Sequence, residues 1–425
     1  MSCNVPLLPL GELTINYDAK RRPVKAPDRN PGMYPYYGAS GIVDYVDNFI
    51  FDGEYLLVGE DGENMRTRQT PIAFLAKGKF WVNNHAHIVT GNAKASTRYL
   101  AYALAVTDIS PYLTGAVMPK LTQGNLNKIP IPCPVPEVQN KIVHILGSLD
   151  DSIAAHQRQN IVLESIARTL FRSWFVDFDP VHAKVAGREP DAMSAELAGL
   201  FPSDFEESTM GPVPQGWSSG RLSDICSLNP ESWSAKNPPT IIKYIDLSGL
   251  KKNVFSEVSQ CNFSEAPSRA RRILRKGDSL YGTVRPGNLS YGFVGWEDAG
   301  LTASTGFAVL RPSDVKSTEF VYCAMTLKAN IERLTRLAEG AAYPAVRPDV
   351  VHGQALVLPS LGVMEAFHNL TSPLFGVHAT NRRVVSCLVA LRDHLLPRLI
   401  LGKLCVEDAE ASVAAITWEI ETEAV

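Results

Sequence analysis

The stretch Gly115-Ala116-Val117-Met118-Pro119-Lys120-Leu121, running on to Pro134, returns 225 residues later as Gly340-Ala341-Ala342-Tyr343-Pro344-Ala345-Val346, running on to Pro359, with no gap needed. The register then holds through Leu149/Leu374, Leu163/Leu388, Ile166/Leu391 and Leu170/Leu395. Solenoid units recur every ~20 to 50 residues, so a period this long is not one of them. One polypeptide carries two copies of a whole module, which suits a ligand that itself has two halves.

Beyond each copy of the repeated stretch the pattern is helical. Pro-rich Ile129-Pro130-Ile131-Pro132-Cys133-Pro134-Val135-Pro136 excludes helix and ends the preceding domain. From Glu137 to about Phe175 only Gly147 interrupts a helical pattern, and Asp177-Phe178-Asp179-Pro180 stops it. A second such stretch runs from Ser360 to about Leu401, with Gly402 as its C-terminal stop. In heptads the first gives a positions Ile142, Leu149, His156, Leu163 and Leu170, with d positions Ile145, Ser152, Gln159, Ile166 and Ser173. The second gives Phe367, Leu374, Asn381, Leu388 and Leu395, with Leu370, Val377, Val384, Leu391 and Arg398. Each seam has one polar residue at its central a position, the device that fixes register at some loss of stability. Antiparallel packing brings His156 level with Asn381, so these two are the expected register pair. Pro373 and Pro397 are expected to kink the second helix. A helix of about 36 residues is ~54 Å long, more than one ~34 Å turn of B-DNA, so the pair reads as a ruler.

The segments outside the helices mix short apolar and aromatic runs with Gly and Pro, as in Tyr34-Pro35-Tyr36-Tyr37-Gly38 and Phe80-Trp81-Val82, and read as α+β. The expected division is 1–135 and 212–359 for the two globular domains, 136–180 and 360–403 for the helical spacers, 181–211 for an acidic linker and 404–425 for an acidic tail. Net charge is -3, but the tail carries -6 and residues 183–211 carry -4, so the remainder is +7. That mildly basic body suits a nucleic-acid ligand gripped with the help of a partner chain. The seven cysteines are scattered with no C-x-x-C pair, which indicates neither a disulfide framework nor a zinc ribbon. No window reaches the ~18 apolar residues of a membrane span and Met1 to Leu10 lacks a signal-peptide pattern, so a cytoplasmic location is expected.

Gly115 to Leu121 with Ile129-Pro130-Ile131-Pro132, Leu163-Glu164-Ser165-Ile166-Ala167-Arg168-Thr169-Leu170-Phe171-Arg172-Ser173-Trp174-Phe175-Val176-Asp177-Phe178-Asp179-Pro180, and Leu391-Arg392-Asp393-His394-Leu395-Leu396-Pro397-Arg398-Leu399 occur in that order. In this the chain resembles, over essentially its whole length, the specificity subunits of type I restriction-modification systems. The resemblance implies an α+β fold with two globular target-recognition domains separated by two long α-helices packed as an antiparallel coiled coil, a pseudo-two-fold repeat. It implies that each domain reads half of a split double-stranded DNA target. It further implies that the helices set the unread gap and dock two DNA adenine methyltransferase subunits, and that restriction/translocase subunits join that core. The same plan serves the recognition subunit of a two-part type II enzyme. Ala345 stands in the second repeat where the first has Lys120, and Arg347-Pro348 where it has Thr122-Gln123, so the two domains are expected to contact DNA differently.

Candidate DNA contacts are chosen by charge and donor chemistry. In the first domain they are Lys20, Arg21 and Arg22 beside Tyr36, then Arg66 and Arg68 after the loop Gly59 to Asn64, and Lys120, Gln123 and Asn125 in the repeated loop. In the second they are Arg271, Arg275, Tyr343 and Arg347, with Arg285, at the turn Pro286-Gly287-Asn288, the strongest base or phosphate contact. For each the alternative is a solvated face. Catalytic readings find less support. His85 and His87 have same-face strand spacing, but two histidines make no zinc site. Asn237-Pro238-Pro239-Thr240 has the outline of an adenine-methyltransferase motif, yet Thr240 stands where an aromatic would stack on a flipped base. No Gly-x-x-x-x-Gly-Lys-Ser/Thr loop is present. The expectation is a recognition subunit with no active site, metal or cofactor; a self-contained methyltransferase or nuclease is the rival.

Overall fold

The computed structural model of the chain describes residues 5–234, 236–340 and 344–423, with side chains described as far as residue 416. It divides into two units, residues 1–155 with 384–425 and residues 156–383. The fold is α+β, with two sheet-rich domains and two long helices, Pro136–Phe175 and Leu361–Ile400, each passing from one unit into the other. The second helix is continuous through Pro373 and Pro397.

In the first unit a six-stranded sheet runs in the order Thr14–Asn16, Ala86–Gly91, Phe51–Gly59, Ala73–Val82, Pro31–Gly38, Gly41–Val46. Its neighbours are antiparallel except Pro31–Gly38 with Ala73–Val82. Successive side chains of a strand point to opposite faces. Leu56 and Val58 therefore enter the core shared with the helices, while Leu57 enters the separate cluster of Phe51, Phe80 and Ile88. Helix Thr97–Val106 starts where the Ser96 hydroxyl accepts the Tyr99 amide at 3.3 Å. Among the described residues the Pro-rich strand Pro130–Pro132 pairs only with Leu7–Pro9, an edge position that tolerates proline. Ile142, Ile145, Leu146, Leu149 and Ile153 share one core with Val384, Leu388, Leu391, Leu395 and Leu399, so the helices lie antiparallel here. Arg392 pairs with Asp150 at 3.0 Å across them, and Tyr102 donates to the same carboxylate at 2.6 Å.

The second unit has two four-stranded sheets. One is ordered Cys226–Leu228, Phe307–Pro312, Ser279–Gly282, Tyr291–Phe293, the other Ser259–Asn262, Ile241–Ile245, Leu301–Ser304, Ala270–Ile273. Its largest core is aromatic: Phe171, Trp174 and Phe175 from the first long helix meet Phe320, Phe367 and Phe375. The Trp-Phe-Val-Asp-Phe-Asp-Pro run is thus explained by packing. Trp174 stands edge-on to Phe201 at 4.9 Å, and Phe178, with a left-handed backbone, turns the chain into helix Asp179–Val185. Val181 of that helix, Phe201 of the acidic stretch after it and Val213 of the strand that follows lie in the same core.

His156 and Asn381 do meet: Nδ1 lies 3.0 Å from the amide oxygen, and the Asn381 amide donates to Gln159 and Asn160. Within the second unit the seam keeps its a positions Leu170, Phe367 and Leu374 in or against the core, but its d positions come away from it. Ile166, Leu370 and Val377, expected at d positions, are 49%, 46% and 42% exposed. The first helix there turns its aromatic face to the domain, because burying Phe171, Trp174 and Phe175 removes more apolar surface from water than covering the d positions would.

Candidate nucleic-acid interface

In the first domain the repeated loop closes where Thr114 and Lys120 exchange backbone hydrogen bonds of 2.8 and 2.7 Å. Gly115 permits this: its φ is +88°, and a Cβ there would lie 2.2 Å from the Met118 carbonyl. Gly62 N donates to Pro119 O at 3.2 Å and Leu121 N to Glu60 O at 2.7 Å, pinning the loop to residues 59–64. Arg66 adds two bonds, to the Gly115 and Ala116 carbonyls, at 3.1 and 3.2 Å.

Beneath the loop lies a charged network. The His87 ring reaches Leu121 O with Nε2 at 2.8 Å and Asp18 with Nδ1 at 2.5 Å. Both partners only accept, so both ring nitrogens carry protons and His87 is an imidazolium. Burial would push its pKa down. The bonds to Asp18 and Leu121 and the charges of Asp18 and Glu60 outweigh that, and the net shift is upward. Burial likewise raises Asp18 and Glu60, but hydrogen bonds from His87 and Ile88 to the one, and from Arg21 to the other, hold both below the ordinary carboxylate range. Glu60 also accepts Arg21 at 2.7 Å and lies 3.3 Å from Lys120 Nζ.

This geometry sorts the expected contacts. Tyr36 is wholly buried, its hydroxyl bonded to Val24 N at 2.9 Å and Arg29 4.3 Å above its ring, so it serves the fold and does not face a ligand. Arg21 is committed to Glu60 and to the Asp18 and Ala86 carbonyls. Arg68, with φ of 49°, donates to Thr107 O at 2.5 Å and so closes the end of helix Thr97–Val106. The Asn125 amide donates to Tyr112 O at 2.9 Å. Lys20, Arg22, Arg66, Lys120 and Gln123 are exposed, Lys20 lying 5.3 Å from the Tyr17 ring centre. His85, which the spacing paired with His87, instead bonds Asp61 at 2.9 Å.

In the second domain Arg275 pairs with Glu231 at 3.0 Å, and Arg271 folds over Phe263 with Nη1 on its neighbour's carbonyl. Arg285 and Arg347 are exposed; Arg285 starts the turn Pro286–Asn288 with φ of 48°, and its amide donates to Pro344 O at 2.7 Å. Tyr343 lies outside the described residues. Sequence reasoning passed over Lys251 and Lys252, which flank the tip of the short hairpin Leu250–Lys251/Val254–Phe255. The signal was there, two adjacent lysines and Asn253 between apolar pairs, a short-hairpin pattern. Asn253 is buried and anchors this turn: it accepts Phe293 N at 2.8 Å and donates to Glu164 at 3.0 Å and to His378 Nε2 at 3.3 Å. Burial keeps the His378 pKa below its ordinary value, consistent with a neutral ring that accepts. Glu164 in turn accepts Arg168 at 2.6 Å and the buried Tyr322 hydroxyl at 2.8 Å. Lys252, Asn253, Arg285 and Leu289 all have positive φ. Such strain, of order 1–3 kcal/mol per residue, gathers where a surface must be presented in one shape.

Residues 8–165 match the family described as the type I restriction modification DNA specificity domain. The MjaIX type I restriction enzyme specificity subunit of Methanocaldococcus jannaschii is 27% identical over 362 residues, covering 82% of this chain and 78% of that one. A putative type I restriction enzyme specificity subunit of Haemophilus influenzae is 41% identical over 141 residues, 33% of this chain and 36% of its own length. A crystal structure of the type I restriction-modification S subunit from M. genitalium shares the fold, with a TM-score of 0.55 at 14% identity, covering 94% of this chain and 97% of that one. With the repeated loop, the Pro-rich strand and the paired long helices in place, residues 8–165 match the DNA specificity domain of type I restriction-modification systems, and the chain is similar over most of its length to the specificity subunits of those systems.

Proposed function

We propose that this chain is a noncatalytic, cytoplasmic subunit that reads a bipartite double-stranded DNA target, one half with each globular domain (1–135 and 212–359), and docks two DNA adenine methyltransferase subunits, through which restriction subunits join. The observation that carries this reading is the use of one backbone frame twice with different side chains around it. The loop closed by Thr114/Lys120 in the first domain is matched by Glu339/Ala345 in the second. Phosphate contacts set position and base-edge contacts set sequence, so a shared frame with unlike surroundings suits two different half-sites. Lys20, Arg22, Arg66, Lys120 and Gln123 in the first domain, and Arg285 and Arg347 in the second, supply exposed donors. The apolar residues Ile161, Val162, Ile166, Leu370 and Val377, exposed on the long helices of the second unit, suit a protein partner. Mapping of methylated adenines in the source genome tests the reading. The expected motif is two short defined blocks around a fixed unread gap, and a heptad inserted into both helices lengthens the gap and leaves the blocks unchanged. A continuous motif, or DNA methylation by the isolated chain, overturns it.

A further inference from the structure

Between the turn at Lys252 and the turn at Pro286–Asn288 lies a groove of about 480 Å³ lined by Ser248, Lys251, Lys252, Gly287, Asn288 and Ser290, with Leu247, Leu250 and Leu289 behind them. Its polar lining consists of ammonium, hydroxyl and amide groups, and among the described residues none of its walls is a carboxylate. Neither lysine forms an ion pair with a described residue, in contrast to Lys243, Arg269, Arg275 and Arg311, which are each paired with Asp or Glu. The nearby Asp246 is taken by Arg269 at 2.9 Å. The two turns are tied together by Lys252 N to Leu289 O at 2.9 Å and Asn253 N to Tyr291 O at 2.8 Å. Asn253, bonded to Glu164 and His378, ties them in turn to both long helices within this unit.

We propose that this groove is a phosphodiester-binding saddle, in which Lys251 and Lys252 neutralise backbone phosphates of DNA and Ser248 and Asn288 offer hydrogen bonds to their oxygens, while the Ser290 hydroxyl, which donates to Leu247 O at 3.1 Å, helps hold the two walls together. The inference rests on the reading of the second domain as DNA-binding and adds a contact surface apart from the repeated loop. An unpaired, strongly hydrated ammonium is a point charge suited to a phosphate, whereas bidentate base recognition calls for arginine. The saddle therefore contributes affinity and leaves sequence preference to other residues. Because the turn is anchored to the helices, it also fixes where the DNA backbone lies against them.

The test uses the complex assembled with its methyltransferase subunits and a fluorescent duplex carrying the mapped bipartite motif, titrated from low to high salt. Each phosphate contact contributes roughly 0.9 to the slope of log affinity against log salt. Lys251→Gln/Lys252→Gln is expected to bind about tenfold more weakly with a slope shallower by about 2, with its preference for the motif over a scrambled duplex unchanged. Lys251→Arg/Lys252→Arg is expected to keep the wild-type slope, and Lys316→Gln, which removes a lysine paired with Glu365 at 2.8 Å, to change nothing. If the wild type binds and the double Gln variant matches it in affinity and slope, the saddle is wrong while the DNA-binding reading stands. If the double variant loses motif preference with its slope intact, the lysines read bases and the saddle is again wrong. A wild-type complex that binds no DNA sinks the functional reading and the saddle with it.

Discussion

In the first domain the Leu121 amide donates to Glu60 O, and in the second Val346, its counterpart 225 residues on, donates to Thr283 O. Gly62 N to Pro119 O is matched by Arg285 N to Pro344 O, and Glu60 N to His85 O by Thr283 N to Gly306 O. The counterpart of Glu60 is therefore Thr283, that of Lys120 is Ala345, and His87, two residues beyond His85, corresponds to Ala308. One loop rests on a buried imidazolium between carboxylates, the other on a hydroxyl and small apolar groups. The frame survives because its bonds are made by backbone groups, which every residue other than proline can supply. The chemistry near the frame was thus free to diverge between the halves.

The largest expected effect comes from breaking the charged version. Asp18→Ala leaves His87 buried without its carboxylate, and loss of one partner of a buried pair costs about 3–5 kcal/mol. The thermal transition of the first unit should fall sharply, whereas Thr283→Ala in the second should cost about 1 kcal/mol, one hydrogen bond to Gly306 O; equal effects would erase the contrast. The pH dependence sharpens it. Because the folded pKa of His87 is raised, its stabilisation is complete below about pH 6.5 and is lost as pH rises through the folded value. Asp18 and Glu60, held low, stabilise above about pH 4 and lose that contribution as pH falls through their folded values. Hydrogen-exchange protection of residues 114–121 should therefore peak between these limits and that of 344–346 should be flatter; parallel profiles would show that the network does not hold the loop.

A smaller effect is expected at the glycine. Gly115→Ala must adopt a left-handed backbone and collide with the Met118 carbonyl, at a cost of about 1–3 kcal/mol, seen as faster exchange at the Thr114 and Lys120 amides with little change elsewhere. Unchanged exchange would mean that the loop has another conformation of similar energy. The smallest belongs to Lys120→Ala, which copies the second domain's Ala345. Its ion pair with Glu60 is about half exposed on the lysine side, and such pairs contribute about 0.2–1 kcal/mol. A shift in melting temperature of more than a few degrees would show that Lys120 supports the loop.

Much of this was readable in the chain. The 225-residue spacing, the helix-breaking Pro-rich strand and the polar residues His156 and Asn381 are local or periodic signals, and periodicity survives projection into one dimension. Which cations remain available for DNA is not such a signal. Arg21 and Glu60 are 39 residues apart, and Arg311 and Asp278 are 33 apart, so neither pairing leaves a mark on neighbouring positions. Tyr36 belongs to an aromatic run that also contains the less buried Tyr34 and Tyr37, and only the closing of the strand over Val24 hides its hydroxyl. The departure of Ile166, Leu370 and Val377 from the seam has the same origin, since a heptad count sees one helix and its partner but not the aromatic domain core that competes for their faces.

Two copies of one module, their long helices and the residues that mark helix register came from composition and spacing, because backbone geometry imposes its own period on the chain. Which lysines and arginines are committed to carboxylates, which histidine is held charged and which donors line a groove came from packing. Charge pairing depends on distances of a few ångströms between groups remote in the chain, and folding alone sets those distances.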